Sequence, residues 1–389
     1  MLLQPPPLAL YVHLPWCVRK CPYCDFNSHV APEQLPQQDY VDALLEDLDH
    51  DLQWPDLQWS GTRPLVSVFF GGGTPSLFSP EEIARFMQGV RQRIACAADL
   101  EATLEANPGT IEHGRFRGYR DAGITRVSLG AQSFNDQHLK RLGRIHGSSD
   151  IQRAVAELVL AGLDNFNLDL MYGLPDQTPS QALDDVRAAI ALQPKHVSHY
   201  QLTLEPGTVF YHRPPPLPDQ DASWEMQVEC QQLLAQHGYE QYEVSAYAQP
   251  GSQCRHNLNY WEFGDYLGLG AGAHGKLTQS PGVVMRTTRC RQPRDYLSRA
   301  VADRITERRE VATGELPFEY MLNALRLLKG FANEGFETRT GLSRTAVVDI
   351  LDAAQHKGLL IQTREGWRPT DLGARFLNEL QAMFLPNAA

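Results

Sequence analysis

The chain has 389 residues, of which 42% are apolar and 21% charged, and its formal net charge is −11 at pH 7. This composition is that of an ordinary soluble globular protein, and the acidic balance argues against a nucleic-acid partner, which requires a basic face. A chain of this length has room for one barrel-sized domain and a smaller second domain.

The sequence also argues against a secreted protein and against a membrane-spanning protein. Residues 1–8 contain three prolines and no basic residue, so we do not expect a signal peptide. No apolar run approaches the length of a membrane span. Seven cysteines without a secretory signal indicate a reducing cytoplasm, where thiols serve as metal ligands rather than as disulfides. We therefore expect a cytoplasmic protein with at most transient contact with membrane proteins.

Apolar runs alternate with helix-period segments six times along the first half of the chain. The predicted strands are Leu8–Leu14, Leu65–Phe70, Leu100–Ala106, Thr125–Gln132, Phe166–Met171 and His196–Leu204. The predicted helices are Asp39–Leu52, Pro80–Ile94, Ile111–Ala122, Asp136–Leu142, Asp150–Ala161 and Ser180–Leu192. Such alternation predicts an α/β fold with a parallel sheet and right-handed crossovers. Because six units are too few for a closed eight-stranded barrel, we expect an open, partial (β/α)6 barrel.

The second half of the chain changes its pattern twice. The proline-rich segment His212–Pro218 predicts a stiff linker at the end of the barrel. The elements predicted after it are a helix Asp221–Gln236, a strand Tyr239–Tyr247, an aromatic loop, and a hairpin Leu277–Arg289 turning at Ser280-Pro-Gly282. From Leu316 onwards, three helices, a hairpin Leu359–Thr370 and a last helix to Phe384 are typical of an α+β winged-helix-like domain. We place the domains at 1–236, 237–309 and 310–389.

The last predicted domain does not have the charge of a DNA-binding module. Residues 310–389 carry 8 Lys and Arg against 10 Asp and Glu. A nucleic-acid face would need a clear basic excess. We therefore expect a protein-docking or lid role for this winged-helix-like domain.

Three cysteines with the spacing C-x3-C-x2-C follow the first strand. Cys17, Cys21 and Cys24 lie in one loop and can point at a single centre, and three thiolates on a four-iron cluster leave one iron open. The alternative is a zinc knot with His13 or His29 as the fourth ligand. Zinc usually takes paired C-x2-C units from two stretches, and no second pair is present. The spacing therefore favours a cluster.

Polar and glycine-rich residues recur where predicted strands end. The cysteine loop follows the first strand, and Gly71-Gly-Gly-Thr-Pro75 follows the second. Glu105, Gln132 and Asp169 end the next three. In βα-barrels the carboxyl ends of the strands build the active site. Alone, the glycines are also compatible with a simple turn and Asp169 with a structural hydrogen bond, but the recurrence predicts one common site.

The cysteine loop, with Tyr23 before its last cysteine, resembles the signature of the radical S-adenosylmethionine (SAM) superfamily. The whole chain resembles the oxygen-independent coproporphyrinogen dehydrogenase family, and most of all its HemW branch of heme chaperones. The strings that carry this resemblance are Tyr11-Val-His-Leu-Pro-Trp-Cys17, Gly71-Gly-Gly-Thr-Pro75, Glu105-Ala-Asn-Pro-Gly109, Gly130-Ala-Gln-Ser-Phe134, Leu142-Gly-Arg-Ile-His146, Asn167-Leu-Asp-Leu170 and His256-Asn-Leu-Asn-Tyr-Trp261. The resemblance implies that the open barrel is a radical SAM barrel.

The resemblance also implies cofactors and their ligands. Cys17, Cys21 and Cys24 would hold a 4Fe-4S cluster whose fourth iron chelates SAM. The residues implied to bind SAM are Tyr11, Tyr23, Gly72, Gly73, Thr74, Glu105, Gln132, Arg144 and Asp169, with Gln201 and His274 near the nucleoside. Heme is the third implied ligand.

The heme site is predicted around residues 256–261, which we call the HNLNYW segment. Heme needs apolar walls and an axial donor such as histidine, and this segment offers His256 beside Tyr260 and Trp261. We expect it to cap the barrel mouth. A local hydrogen-bonding role for His256 is the alternative, and His274, in a glycine-rich turn, is a second candidate for heme or SAM.

Phe26 separates two expected functions. Coproporphyrinogen dehydrogenases carry a fourth cysteine two residues after the third, where this chain has Phe26. The departure favours a heme chaperone that passes heme to acceptor proteins such as respiratory cytochromes, without coproporphyrinogen oxidase activity. The alternatives are the radical SAM dehydrogenase itself, which decarboxylates coproporphyrinogen III, and a zinc-bearing winged-helix regulator.

Overall fold

The computed structural model describes residues 5–54, 63–110, 114–280 and 282–386. Its strands are β1 Leu8–Leu14, β2 Trp16–Cys17, β3 His29–Val30, β4 Leu65–Gly72, β5 Cys96–Ala106, β6 Arg126–Gln132, β7 Phe166–Tyr172, β8 His196–Gln201, β9 Glu240–Glu243, β10 Ala246–Ala248, β11 Asp265–Leu269, β12 His274–Ser280, β13 Val283–Arg289, β14 Ile305–Glu310, β15 Phe331–Ala332, β16 Leu360–Gln362 and β17 Gly366–Pro369.

Helices follow most strands of the first half and dominate the carboxyl-terminal part. They are α1 Gln37–Asp51, α2 Pro80–Arg93, α3 Arg115–Asp121, α4 Asp136–Arg141, α5 Ser148–Leu160, α6 Pro179–Ala191, α7 Val209–His212, α8 Gln220–Gln236, α9 Arg255–Trp261, α10 Pro293–Ser298, α11 Leu316–Ala324, α12 Asn333–Thr340, α13 Val348–His356, α14 Asp371–Arg375 and α15 Leu377–Ala382. Within the described ranges, no helix combines the length and the apolar character of a membrane span.

A twelve-stranded mixed sheet organises the described chain, in the order β14-β13-β12-β11-β1-β4-β5-β6-β7-β8-β10-β9. The strands from β11 to β8 in this order run parallel, and antiparallel strands extend both edges. The sheet does not close between β14 and β9 in the part of the chain that is described. The predicted α/β class with an open barrel is confirmed.

Local sequence signals explain where the helices begin. Ser79 accepts a hydrogen bond from the backbone of Glu82 and precedes Pro80 in the first turn of α2. Thr178 and Gln181 form a reciprocal capping box at the start of α6. These side chains satisfy backbone N–H groups that have no partner inside the helix. The helices then bury apolar faces on the sheet, whose core includes Val12, Phe70, Leu104, Leu129 and Leu168, each fully buried.

The structure corrects several sequence-based predictions. Beyond the six predicted strands, β11 pairs in parallel with β1. This contact is non-local, and the sequence of a five-residue strand does not predict its partner. The predicted strand Tyr239–Tyr247 is two antiparallel strands, β9 and β10, because the chain turns back at Val244 and Ser245. The predicted aromatic loop is the helix α9. The predicted start of a helix at Ile111 and the turn residue Pro281 lie outside the described residues.

The carboxyl-terminal part forms its own small sheet. Strands β15, β17 and β16 pair antiparallel, and α11 to α15 surround them, in the α+β arrangement that the sequence predicted. The core of this part also includes Phe263 and Val284 from the larger unit. The domain boundaries stay predictions, since β9 to β14 hydrogen-bond into the same sheet as the barrel strands.

Candidate functional site

A cavity of about 350 Å³ opens at the carboxyl ends of the parallel strands. Most of the residues that the sequence proposed for a site line this cavity: Cys17, Cys21, Tyr23, Cys24, Gly72, Gly73, Thr74, Glu105, Gln132, Arg144 and Asp169. They come from strands that are far apart in the chain. Because parallel strands have their carboxyl ends at the same edge of the sheet, these residues lie close together in the fold.

The cysteine loop is fixed by backbone contacts on both sides. Gly73 donates its N–H to the carbonyl of Leu14 at 2.8 Å, and Thr74 donates to the carbonyl of Trp16 at 2.7 Å. The side-chain amide of Asn27 donates to the carbonyls of Ala271 and Arg291, both at 2.9 Å. The loop therefore lies between the glycine turn after β4 and the turn before β12.

The three cysteines of this loop are free thiols that line one cavity. All seven cysteines are free thiols, and Cys17, Cys21 and Cys24 share the cavity. In the described ranges, no group of three or more His, Cys, Asp or Glu side chains converges as the ligands of one metal ion would. Three thiols in one loop fit the protein ligands of a 4Fe-4S cluster that leaves one iron open.

The two histidines of the zinc alternative have other partners. His13 contacts the hydroxyl of Tyr11 at 3.0 Å and the carbonyl of Asn27 at 2.8 Å, so both ring nitrogens are engaged. His29 contacts the side-chain oxygen of Asn27 at 3.3 Å. Burial lowers the pKa of both histidines. Their contacts hold the loop in place.

Among the described residues, Glu105 and Asp169 are two of the four acidic residues that line the cavity. Glu105 accepts a hydrogen bond from the N–H of Gly72 at 3.1 Å. Burial and the nearby Asp169 raise the pKa of Glu105 to about 8. Burial also raises the pKa of Asp169, against hydrogen bonds from Asn167 and Ser128. Buried carboxylates of this kind call for a cationic or hydrogen-bonding ligand.

Arg144 provides the positive charge next to the thiols. Its guanidinium donates to the carbonyl of Gly130 at 2.9 Å and lies 3.7 Å from the sulfur of Cys21. Its Nε atom is buried without a hydrogen-bond partner. Gln132 ends β6 with a φ of 67°, a left-handed conformation that is uncommon for residues other than glycine and frequent at binding sites.

Three proposed residues do not line this cavity in the described structure. Tyr11 lies in β1, and its hydroxyl contacts Nδ1 of His13 at 3.0 Å. His274 is exposed and contacts the hydroxyl of Thr288 at 3.2 Å. His256 is buried, and its two ring nitrogens contact Ser67 at 2.9 Å and the hydroxyl of Tyr260 at 3.0 Å.

The HNLNYW segment lies at the opposite end of the barrel from the cysteines. Ser67, the partner of His256, is in the first half of β4, whereas Gly72 ends that strand at the cavity. The expectation that this segment caps the mouth is therefore corrected. The role of His256 as a heme ligand stays a prediction, and it would require the contacts with Ser67 or Tyr260 to break.

The sequence did not single out a set of buried polar residues beneath the cavity. Ser128, Asn167, His196 and Ser198 point into the barrel from β6, β7 and β8 and form hydrogen bonds with one another. The sequence pattern that could have predicted them is alternation, because these polar residues occupy every second position in strands that are otherwise largely apolar. Such alternation in a strand buried on both faces indicates a polar barrel interior.

Comparisons with known proteins show what the chain is similar to. The radical SAM superfamily model matches residues 11–189, and the HemN C-terminal domain model matches residues 314–376. The heme chaperone HemW of Haemophilus influenzae is 50% identical over 98% of this chain and 98% of its own length. The heme chaperone HemW of Escherichia coli is 48% identical over 99% of this chain and 100% of its own length.

One solved structure shares the fold across nearly the whole chain. Coproporphyrinogen III oxidase (HemN) from Escherichia coli, a radical SAM enzyme, superposes with a TM-score of 0.81, covering 98% of this chain and 90% of its own. Its sequence identity is 22%, so the likeness establishes the architecture and not the activity.

Proposed function

Because this chain belongs to the HemW family of heme chaperones within the radical SAM superfamily, we propose that it binds heme and delivers it to acceptor proteins. The superfamily implies a 4Fe-4S cluster and SAM. Respiratory cytochromes are the acceptors we propose, and a reducing cytoplasm is the compartment, in keeping with seven free cysteines.

One observation carries the cofactor part of the proposal: three thiols, the glycine turn, Arg144 and two carboxyl groups share a single cavity. Cys17, Cys21 and Cys24 would hold the cluster. When bound, such a cluster supplies an electron for the reductive cleavage of SAM. The residues of the chain would bind and orient SAM: Glu105 and Asp169 would accept hydrogen bonds from it, and the absence of side chains at Gly72 and Gly73 would let it approach the backbone closely.

The ionisation of the carboxyl groups in the cavity would affect the binding of SAM. SAM carries a sulfonium and an amino group, and both are attracted to carboxylates in a site with little water. Arg144 balances the charge of the thiolates on the other side of the cavity. The cavity would therefore present two carboxyl groups to the cation and the guanidinium of Arg144 to the cluster loop.

The second candidate function is the oxidative decarboxylation of coproporphyrinogen III, which the resemblance of the sequence to coproporphyrinogen dehydrogenases implies. Against it stands Phe26, where the dehydrogenases that the chain resembles carry a fourth cysteine. Its ring is 58% exposed at the rim of the cavity. An exposed aromatic ring at this position offers an apolar contact for a planar ligand such as heme and no thiol chemistry.

An anaerobic experiment separates the two functions. The protein is reconstituted with iron and sulfide and then supplied either with heme and an apo-cytochrome or with SAM, a reductant and coproporphyrinogen III. We expect about four irons and four sulfides per chain, a heme Soret band, transfer to the apo-cytochrome, and no decarboxylated product. Decarboxylation at enzyme-like turnover, or one zinc per chain without labile sulfide, would overturn the proposal.

A further inference from the structure

We propose that His196 is a positioning residue that, through Asn167, fixes the carboxylate of Asp169 in the orientation that meets SAM. The same hydrogen-bond chain ends at Tyr242 and the start of α9. This inference rests on the SAM-binding role of Asp169 under the proposed function. It assigns to residues inside the barrel, which do not contact SAM, the orientation of a carboxylate that does.

The first link of the chain holds both oxygens of Asp169. Ser128 donates its hydroxyl to Oδ2 at 3.0 Å, and the side-chain amide of Asn167 donates to Oδ1 at 2.8 Å. Asn167 also donates to the hydroxyl oxygen of Ser128 at 2.8 Å. A carboxylate that accepts from two fixed donors has one preferred orientation.

The second link determines how Asn167 is oriented. Its Nδ2 group makes both donations just described, so its Oδ1 atom must accept hydrogen bonds. His196 Nδ1 lies 2.6 Å from this oxygen, and Ser198 donates to it at 3.1 Å. His196 therefore carries its proton on Nδ1, and Nε2 is an acceptor.

The third link anchors the histidine. The hydroxyl of Tyr242 lies 2.9 Å from Nε2 of His196 and donates to it, while the same hydroxyl oxygen accepts the N–H of Cys254 at 3.4 Å. The links from the backbone of Cys254 through Tyr242, His196 and Asn167 to the carboxylate of Asp169 thus have consistent donors and acceptors. Burial lowers the pKa of His196 well below its usual range, which keeps the ring neutral.

The hydrogen-bond chain connects the start of α9 with the cavity. Cys254 immediately precedes α9, which contains the HNLNYW segment, and the carboxylate of Glu101 accepts the N–H groups of Arg255 and His256 at 3.2 Å each. Asp169 lines the cavity at the other end of the barrel. The hydrogen-bond chain therefore runs from Cys254, the residue before α9, to Asp169 at the cavity.

The test compares variants at His196 in the reconstituted full-length protein. His196→Leu removes both nitrogens, whereas His196→Asn keeps a donor close to the position of Nδ1. We expect the dissociation constant for SAM, measured by equilibrium dialysis, to rise roughly tenfold in the leucine variant, about 1.4 kcal/mol, and by less than about threefold in the asparagine variant. The electron paramagnetic resonance spectrum of the reduced cluster should respond to SAM in the asparagine variant as in the parent.

Each outcome decides the inference. Parent-like SAM binding in His196→Leu, or equal loss in the leucine and asparagine variants at unchanged melting temperature, would overturn it. If His196→Leu does not fold, Tyr242→Phe removes only the hydroxyl that donates to Nε2, and parent-like binding there would overturn it too. Asp169→Asn is run in parallel. Unchanged binding in that variant would refute the role of Asp169 itself, which separates failure of the premise from failure of the positioning.

Discussion

Glu105 controls the charge of the cavity at the scale of single residues. Burial and the charge of Asp169 raise its pKa to about 8, so the group is mostly protonated at pH 7 and mostly ionised at pH 9. Because SAM is attracted to the ionised carboxylate, we expect its affinity for the reconstituted protein to rise roughly threefold to tenfold between these pH values. Equilibrium dialysis measures the effect.

Glu105→Gln is the matched control, because its side chain is neutral at both pH values. Any slope that remains in this variant comes from groups other than Glu105, SAM itself included. The ionisation of Glu105 is then the difference between the two slopes. Identical pH dependence in the parent and in Glu105→Gln would contradict the assignment.

At the scale of elements, the glycine turn after β4 and the cysteine loop depend on each other. A Cβ atom added at Gly73 would lie 2.5 Å from the carbonyl oxygen of Trp16, the residue before Cys17. Because backbone atoms cannot move aside as a flexible side chain can, Gly73→Ala should displace the loop and destabilise the protein by about 1–3 kcal/mol. We expect iron and sulfide per chain after reconstitution to fall by at least half.

Gly314→Ala provides the control for the same chemical change. No atom lies within 4 Å of a Cβ added at that position. We expect this variant to take up iron and sulfide and to melt as the parent does. A cluster content in Gly73→Ala equal to that of Gly314→Ala would show that the turn and the loop are not coupled.

At the scale of the whole molecule, the carboxyl-terminal part shares its core with the sheet. Phe263 is 1% exposed, packs edge-on against Tyr320 at 5.5 Å between ring centroids, and lies under the ammonium of Lys276. Phe263→Ala should therefore cost about 3–5 kcal/mol and lower the melting temperature of both parts together. Thermal unfolding followed by circular dichroism tests this.

Phe376 supplies the contrast, since its ring is 41% exposed on the carboxyl-terminal part. Phe376→Ala should change the free energy of unfolding by less than about 0.5 kcal/mol. Two separate unfolding transitions in Phe263→Ala, with only the second shifted, would mean that the shared core does not join the two parts.

Local sequence patterns were enough to predict the barrel and most of the cavity. The cysteines that would hold the cluster lie within eight residues of one loop, so their spacing alone brings them together. Asp169 lies in the middle of β7, whereas Gln132 ends β6 and Glu105 is the residue before the end of β5. Parallel strands place their carboxyl ends at one edge of the sheet. For such residues, a correct strand boundary is also a correct position in the site.

Only the tertiary structure decided what lies beneath the cavity. His256 meets Ser67 across 189 positions of sequence, and His196 meets Tyr242 across 46. Neither contact follows from periodicity, because it depends on which strands pair and on which face of the barrel α9 packs. The HNLNYW segment could be recognised from its residues, but its place at the far end of the barrel is set by the parallel pairing of β11 with β1. That pairing is non-local, and local propensity carries no information about it.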